Sequence, residues 1–229
     1  MSDVTPALRA EWSVGIGLPC GPTVPWQHSL SLARTEHAAA TLRVPLDIHA
    51  VAESSDVCIA RDVVLTNFLA NQERYMFWID SDISWRPEDF FRVLRLTKDL
   101  GVVCATYSLK REPEGCVVNF VDADSPPNEY GCVEIVGAGL GFTCVRRDIV
   151  DAFAATKELM LHEGNGRLIL DAFYRPRKRG ADGRLRAGGE DGGFFDDLRA
   201  LGHKVWLDPS IALGHVGAKE YKLPITETT

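Results

Sequence analysis

The feature that most constrains this chain is the segment Arg74 to Ile79, strongly apolar and stopping abruptly at Asp80-Ser81-Asp82. A short apolar run bounded by a polar turn reads as a strand. A helix is predicted next, because Pro87 stands where a first helical residue should and Glu88 and Asp89 complement the dipole of the first turn. That helix is expected to reach about Lys98, with Gly101 ending it and a strand over Val102 to Tyr107. Upstream the same alternation holds. Ser13 to Leu18 predicts a first strand, closed by a loop of Pro19, Gly21, Pro22 and Pro25. A helix from about Gln27 to Leu42, a strand near Leu46 to Val51 and a helix over Asp56 to Asn71 follow, the last with Val57, Ala60, Val64 and Phe68 on one face. Strands separated by helices in this order imply an α/β chain with a largely parallel sheet and a Rossmann-like first half.

The second half is less regular. Cys116 to Val121 and Cys132 to Val136 predict strands, and Gly137-Ala138-Gly139-Leu140-Gly141 leads into the apolar run Phe142 to Val145. A helix is expected from Arg147. The stretch from Tyr174 to Gly189 is basic and glycine-rich and reads as a mobile loop. Phe194, Leu198 and Leu201 mark a helix face closed by Gly202. Short strands over Val205 to Leu207 and Ile211 to Leu213 then precede His215, Gly217 and a tail.

A length of 229 residues suits one domain, and an apolar content of 45% is enough for a substantial core. The expected division is a nucleotide-binding half over 13–107, an acceptor and catalytic half over 108–217, and a tail over 218–229. No apolar run approaches the roughly 20 residues of a membrane helix. Met1 to Trp12 lacks the apolar stretch of a secretory signal. The expectation is a soluble, cytoplasmic protein that does not engage a membrane. The cysteines at 20, 58, 104, 116, 132 and 144 include no Cys-x-x-Cys pair, so they are read as reduced core residues. A net charge of −7 argues against a surface that is one nucleic-acid footprint, while leaving room for a local basic patch.

In open parallel sheets ligands bind beyond the carboxyl ends of the strands. Asp80 and Asp82 stand there, and two carboxylates so close repel each other unless a cation or donors balance them. A hard divalent ion completed by diphosphate oxygens and water suits the pair. The plainer alternative is an Asx-type turn capping the next helix.

The segment Ile79-Asp80-Ser81-Asp82-Ile83-Ser84-Trp85, followed by Pro87-Glu88-Asp89-Phe90, resembles the Asp-x-Asp region of glycosyltransferases with the GT-A fold. Gly137 to Gly141 resembles the glycine-rich loop of that superfamily, and Gly189-Glu190-Asp191 its x-Glu-Asp motif. His215, within Leu213-Gly214-His215-Val216-Gly217, resembles its C-terminal metal histidine. The marks occur in the superfamily's order over residues 14 to 217. Small family-2-like enzymes, including phage-encoded ones and relatives of fungal mannosyltransferases, are the nearest in pattern. One departure is Ala60-Arg61-Asp62, where many such sequences carry Ala-Arg-Asn.

The resemblance implies a GT-A fold, with a mostly parallel central sheet flanked by helices and a smaller mixed sheet on the acceptor side. It also implies transfer of a sugar from a nucleotide diphosphate donor to an acceptor hydroxyl, with inversion expected. Asp82 and His215 would ligate Mn²⁺ or Mg²⁺, Mn²⁺ being favoured by an imidazole ligand. Asp80 would reach the ribose or the metal's shell. Such an ion offsets charge building on the leaving diphosphate. Asp191 would act as general base, and Glu190 would position the acceptor or donor sugar. Pro19, in the turn after the first strand, Gly139 and Arg61 would contact the donor nucleotide. The alternatives are that Glu190 and Asp191 only decorate a helix start and that Arg61 is a solvated helix charge.

Arg175, Arg177, Lys178, Arg179, Arg184 and Arg186 crowd into twelve residues. Such a run is either a solvated loop, a flap over the donor diphosphate, or a grip on a polyanionic acceptor. Some phage-type relatives glycosylate hydroxymethylated bases, so a modified pyrimidine in phage DNA is one acceptor hypothesis; that would place the protein in the host cytoplasm. A glycan, lipid or small metabolite is the alternative. Two rival functions remain: a phosphatase of the haloacid-dehalogenase type, which also places Asp-x-Asp after a strand, and a binding domain without turnover.

Overall fold

The computed structural model describes residues 11–52, 54–111, 115–116, 118–122, 124–179, 182 and 184–222. The remainder of the expected tail, 223–229, lies outside them. In chain order the first half comprises β1 (Val14–Cys20), α1 (Trp26–Leu42), β2 (Leu46–Ala52), α2 (Val57–Leu69), β3 (Tyr75–Ile79), β4 (Ile83–Ser84), α3 (Pro87–Leu100) and β5 (Val102–Cys104). The second half adds β6 (Val118–Phe120), β7 (Val133–Ala138), β8 (Phe142–Arg146), α4 (Arg147–Ala154), β9 (Glu158–His162) and β10 (Arg167–Asp171). It closes with β11 (Arg177–Arg179), β12 (Leu185–Ala187), α5 (Glu190–Ala200), β13 (Val205–Leu207), β14 (Gly214–Val216) and β15 (Glu220–Lys222).

Eight strands form one sheet in the order β2-β1-β3-β8-β5-β13-β7-β6. The parallel pairs are β1 with β2, β1 with β3, and β5 with β13. β8 runs antiparallel between β3 and β5, and β7 antiparallel between β13 and β6. All strands but β7 and β8 therefore point the same way. This is a mixed α/β architecture with a largely parallel central sheet, consistent with a Rossmann-like GT-A fold.

The unbroken apolar run of β3 has a direct cause in this sheet. Side chains alternate across a strand. Tyr75, Phe77 and Ile79 enter one core layer with Phe90, Val93 and Leu94 of α3. Met76 and Trp78 enter the opposite layer with Val64 and Phe68 of α2, Ile149 and Phe153 of α4, and Phe194 and Leu198 of α5. A strand covered on both faces cannot alternate apolar with polar. Phe77 stacks on Phe90 at 4.3 Å and meets Phe142 edge-on at 4.9 Å. Truncating it to Ala would cost about 3–5 kcal/mol.

Helix α3 starts as its sequence predicts, with Pro87 in the first turn and the Asp89 carboxylate accepting the Arg86 backbone N–H at 3.1 Å. It ends at Gly101, whose φ of 83° suits glycine. In α2 the Asp56 carboxylate accepts the Cys58 N–H at 2.9 Å. One turn on, Asp62 is buried and accepts the backbone N–H groups of Ala172 and Phe173, both at 2.9 Å. The acid at this departure from Ala-Arg-Asn thus ties α2 to the strand leading toward the basic segment.

Three expectations need correction. The strand expected over Val102 to Tyr107 is regular only to Cys104, and Tyr107 instead bridges Leu213. The strand expected over Ile211 to Leu213 lies three residues later, at Gly214–Val216. The segment Tyr174 to Gly189, expected as a loop, contains the two-stranded hairpin β11–β12, closed by Gly188 N–H donating to Pro176 O at 2.8 Å. The hairpin β9–β10 has no counterpart in the sequence pattern, because Leu159, Leu161 and Leu168 lie exposed while the adjacent Ile169 and Leu170 are both buried, so burial does not follow the strand period. Among the described residues no helix is long and apolar enough to cross a membrane. All six cysteines are free thiols; Cys104, Cys132 and Cys144 are buried.

Candidate active site

The candidate site lies where β3 ends. Asp80 donates its backbone N–H to Gly141 O at 3.0 Å, and Ile83 N–H closes the turn onto Asp80 O at 3.1 Å. That turn is gripped from below by the buried polar face of α1. His28 Nδ1 bonds Ile83 O at 3.0 Å, Ser31 Oγ accepts the Trp85 backbone N–H at 3.0 Å, and Thr35 Oγ1 accepts the Trp85 indole N–H at 2.9 Å. Burial pushes the His28 pKa down, in keeping with a neutral ring in that role.

Two separate charge clusters flank the turn. In the first, Arg61 is wholly buried, with its guanidinium 5.6 Å from the Trp78 ring centroid. Its Nη2 donates to Asp80 Oδ1 at 3.0 Å and Asp191 Oδ1 at 3.3 Å, and its Nε to Glu190 Oε1 at 3.4 Å. Burial opposes its charge, but Asp80, Asp191 and Glu190 outweigh that and raise its pKa. Three carboxylates against one guanidinium leave excess negative charge at this edge. Asp191 records it: burial, with the charges of Glu190 and Asp80, outweighs Arg61 and a backbone bond at Leu140, and pushes its pKa up to about 6.

In the second cluster, β4 and β14 pair so that His215 stands opposite Ile83, and Val216 N–H donates to Asp82 O at 2.7 Å. This register carries the His215 imidazole to Asp82, with Nε2 3.5 Å from Oδ1. Ring nitrogen Nδ1 donates to Ser108 O at 2.8 Å, which fixes the ring with Nε2 facing Asp82. Lys110 Nζ donates to Asp82 Oδ2 at 2.5 Å. Burial opposes it, but hydrogen bonds from His215 and Lys110 hold the Asp82 pKa at about 2. Asp82 and His215 thus fit a divalent cation: one anionic oxygen and one imidazole nitrogen, separated by about the edge of a coordination polyhedron with ~2.1 Å bonds.

The structure therefore brings together Asp80, Glu190 and Asp191, and, beside them, Asp82 and His215. Arg61 is buried with its guanidinium turned into the carboxylates, so it is not the solvated helix charge of the alternative reading. The register of β1 on β3, with Gly17 opposite Trp78, carries Pro19 to the same sheet edge as Asp80. The glycines of the 137–141 segment are required by packing. A Cβ at Gly139 would collide with the Tyr107 hydroxyl, one at Gly141 would come within 2.6 Å of Asp80 Oδ2, and one at Gly137 would press on Phe195.

Sequence reasoning missed Tyr107, Ser108 and Lys110. Tyr107 is buried against the His215 ring, centroids 4.8 Å apart. Burial, with the charges of Asp80 and Asp191, raises its pKa. The one available signal was their place just past the carboxyl end of a strand. A cavity of about 1100 Å³ opens at the other end of the sheet beside Glu73, Arg74, Lys98 and Arg146. Its charges include the internally paired Arg146–Asp148, Arg147–Asp151 and Lys98–Glu11.

Comparison with known proteins adds the fold. No protein-family model matches, and no curated protein matches. Among solved structures the chain is similar to protein A197 from STIV, with a TM-score of 0.55 and 20% identity over 90% of this chain and 85% of that one. What is shared is the fold. More distant likenesses are a glycosyltransferase involved in glycosylation of the major capsid of PBCV-1 (TM-score 0.34, 13% identity, 61% of this chain and 62% of that one) and 4-diphosphocytidyl-2C-methyl-D-erythritolsynthase from Anaerococcus prevotii (0.37, 13%, 66% and 79%).

Proposed function

We propose that this protein is a metal-dependent glycosyltransferase that moves a sugar from a nucleotide diphosphate donor to an acceptor hydroxyl. The observation carrying this reading is the convergence, at the carboxyl edge of the sheet, of Asp80, Glu190 and Asp191 on Arg61 beside the Asp82–His215 pair. Bound Mn²⁺ or Mg²⁺, held by Asp82 and His215, would supply Lewis-acid neutralisation of the leaving diphosphate.

The chain's own residues do the rest. Asp191, with its pKa near 6, is ionised at neutral pH yet basic enough to take the acceptor proton as the hydroxyl attacks. Arg61 keeps Asp191 and Asp80 in register, so that the base and the donor end of the site stay at fixed separation. Glu190 orients a sugar, and Asp80 faces the ribose. A binding domain has no use for a base tuned in this way. Asp80 is committed to Arg61, which argues against the free nucleophilic carboxylate a phosphatase of this type needs.

For the acceptor we carry forward a hydroxymethylated pyrimidine in DNA, with a glycan or small molecule as the alternative. The support is the hairpin leading into Glu190, on which Arg175, Arg177 and Arg184 are exposed; the side chains of Lys178, Arg179 and Arg186 lie outside the described residues. A thermal-shift screen of nucleotide sugars with and without Mn²⁺ tests the donor: stabilisation needing both is expected, and no response to any pair would sink the reading. DNA binding measured across salt concentrations tests the acceptor, and no affinity even at low salt removes it.

A further inference from the structure

We infer that Asp47, His49 and Glu73 form a site for a first-row divalent transition-metal ion, set apart from the candidate active site and independent of the function proposed for it. Asp47 and His49 lie two residues apart on β2, hence on one face of that strand. Glu73 stands just before β3. The cluster therefore spans β1, which lies between the two strands, and sits toward their amino ends, whereas Asp80 and Asp82 leave β3 at its carboxyl end. One ligand atom from each of the three side chains lies within 4.8 Å of the others.

Three observations point to a ligand rather than to a surface cluster of acids. First, His49 and Glu73 are both more than nine-tenths buried. Their atoms Nε2 and Oε1 are 3.3 Å apart, yet Nε2 makes no hydrogen bond, and Glu73 Oε2 has no partner. Buried polar atoms are rarely left so. Second, 3.3 Å is about the edge of a tetrahedron with metal–nitrogen and metal–oxygen bonds of ~2.0–2.1 Å. The pair has the spacing of two ligands on one ion and lacks the alignment of a hydrogen bond. Third, the place is built. A Cβ at Gly15 would stand 3.0 Å from His49 Nε2 and 2.7 Å from Phe68, so only glycine leaves that nitrogen room. The His49 ring is braced edge-on by Phe68 at 6.2 Å. The segment bearing Glu73 is held by Arg147, which donates to the carbonyl oxygens of Leu69, Asn71 and Glu73.

One imidazole and two carboxylates suit Zn²⁺ and its neighbours better than Mg²⁺ or Ca²⁺, which prefer all-oxygen shells. Three protein ligands leave a position for water, and exposed Asp47 supplies the way in. The ion would tie edge strand β2 to the segment before β3 across β1.

The test uses the full untagged chain, stripped with chelator and titrated with Zn²⁺ by calorimetry, with Co²⁺ absorption as a second readout. The Asp82→Ala/His215→Ala double variant, which lacks the ligands proposed for the active site, should still take up one equivalent. It should also show the visible bands of tetrahedral or five-coordinate Co²⁺. His49→Gln and Glu73→Gln in that background should abolish both signals while circular dichroism is unchanged. Should either variant fail to fold, Asp47→Asn, at an exposed position, should weaken Zn²⁺ binding at least tenfold. The inference is overturned if the double variant binds no Zn²⁺, if folded His49→Gln or Glu73→Gln binds as the parent does, or if Asp47→Asn leaves the affinity unchanged.

Discussion

Arg61 Nη2 lies 3.0 Å from Asp80 Oδ1 and 3.3 Å from Asp191 Oδ1, so one guanidinium nitrogen joins carboxylates from the sheet edge and from the start of α5. Replacing Arg61 by Met would strand three partly buried acids. The expected loss of stability is roughly 2–3 kcal/mol, below the ~3–5 kcal/mol typical of a wholly buried broken pair, because the Asp80 and Asp191 side chains keep 27% and 26% exposure. Urea unfolding measures it; an unchanged midpoint would show that the hub contributes nothing to the fold.

Asp191→Asn should lower the transfer rate by about 10²–10⁴-fold, the usual worth of a positioned base. Donor affinity by calorimetry should be preserved, since the amide keeps the shape of the carboxylate. Loss of both together would instead place Asp191 in donor binding.

A base must be ionised to accept a proton, and Asp191 ionises near 6. Transfer should therefore be full above that pH and fall about tenfold per unit below it in kcat/KM. A profile flat from pH 5 to 8 would contradict the assignment of the base.

Chelator treatment should abolish transfer, and Mn²⁺ should restore it. His215→Ala should raise the Mn²⁺ concentration needed for half-maximal rate by at least about tenfold, with Asp82→Ala worse, since it removes the anionic ligand. Full activity in chelator would leave Lys110, already on Asp82, as the cation at that carboxylate.

Asp62 is buried, and desolvation raises its pKa from 3.8 to about 7 despite the two backbone donors. The native state therefore binds a proton that the unfolded chain releases between those values. Stability from this group falls as pH rises from about 4 to about 7 and levels off above. Asp62→Asn should flatten that slope in denaturation curves taken across the range; an unchanged slope would mean Asp62 is ionised in the native protein at low pH.

The alternation of elements up to Cys104 was legible in the sequence because those strands and helices are stamped by local physics: continuous burial on β3, Pro87 and Asp89 opening α3, glycine closing it. The acidic pairs at 80/82 and 190/191 were legible too, because each sits at the end of a periodic element. Tertiary structure decided what these acids face. Arg61 reads as an ordinary helix charge until α2, β3 and α5 pack into one layer and bury it among carboxylates. His215 meets Asp82 only through the register of β14 on β4, a pairing across the chain that no local pattern encodes. The same holds for His49 on β2 and Glu73 just before β3, which meet beside a glycine on β1. Periodicity reports which face of an element is buried; which charges share that burial depends on contacts between residues far apart in the chain, and those exist only once the sheet has closed.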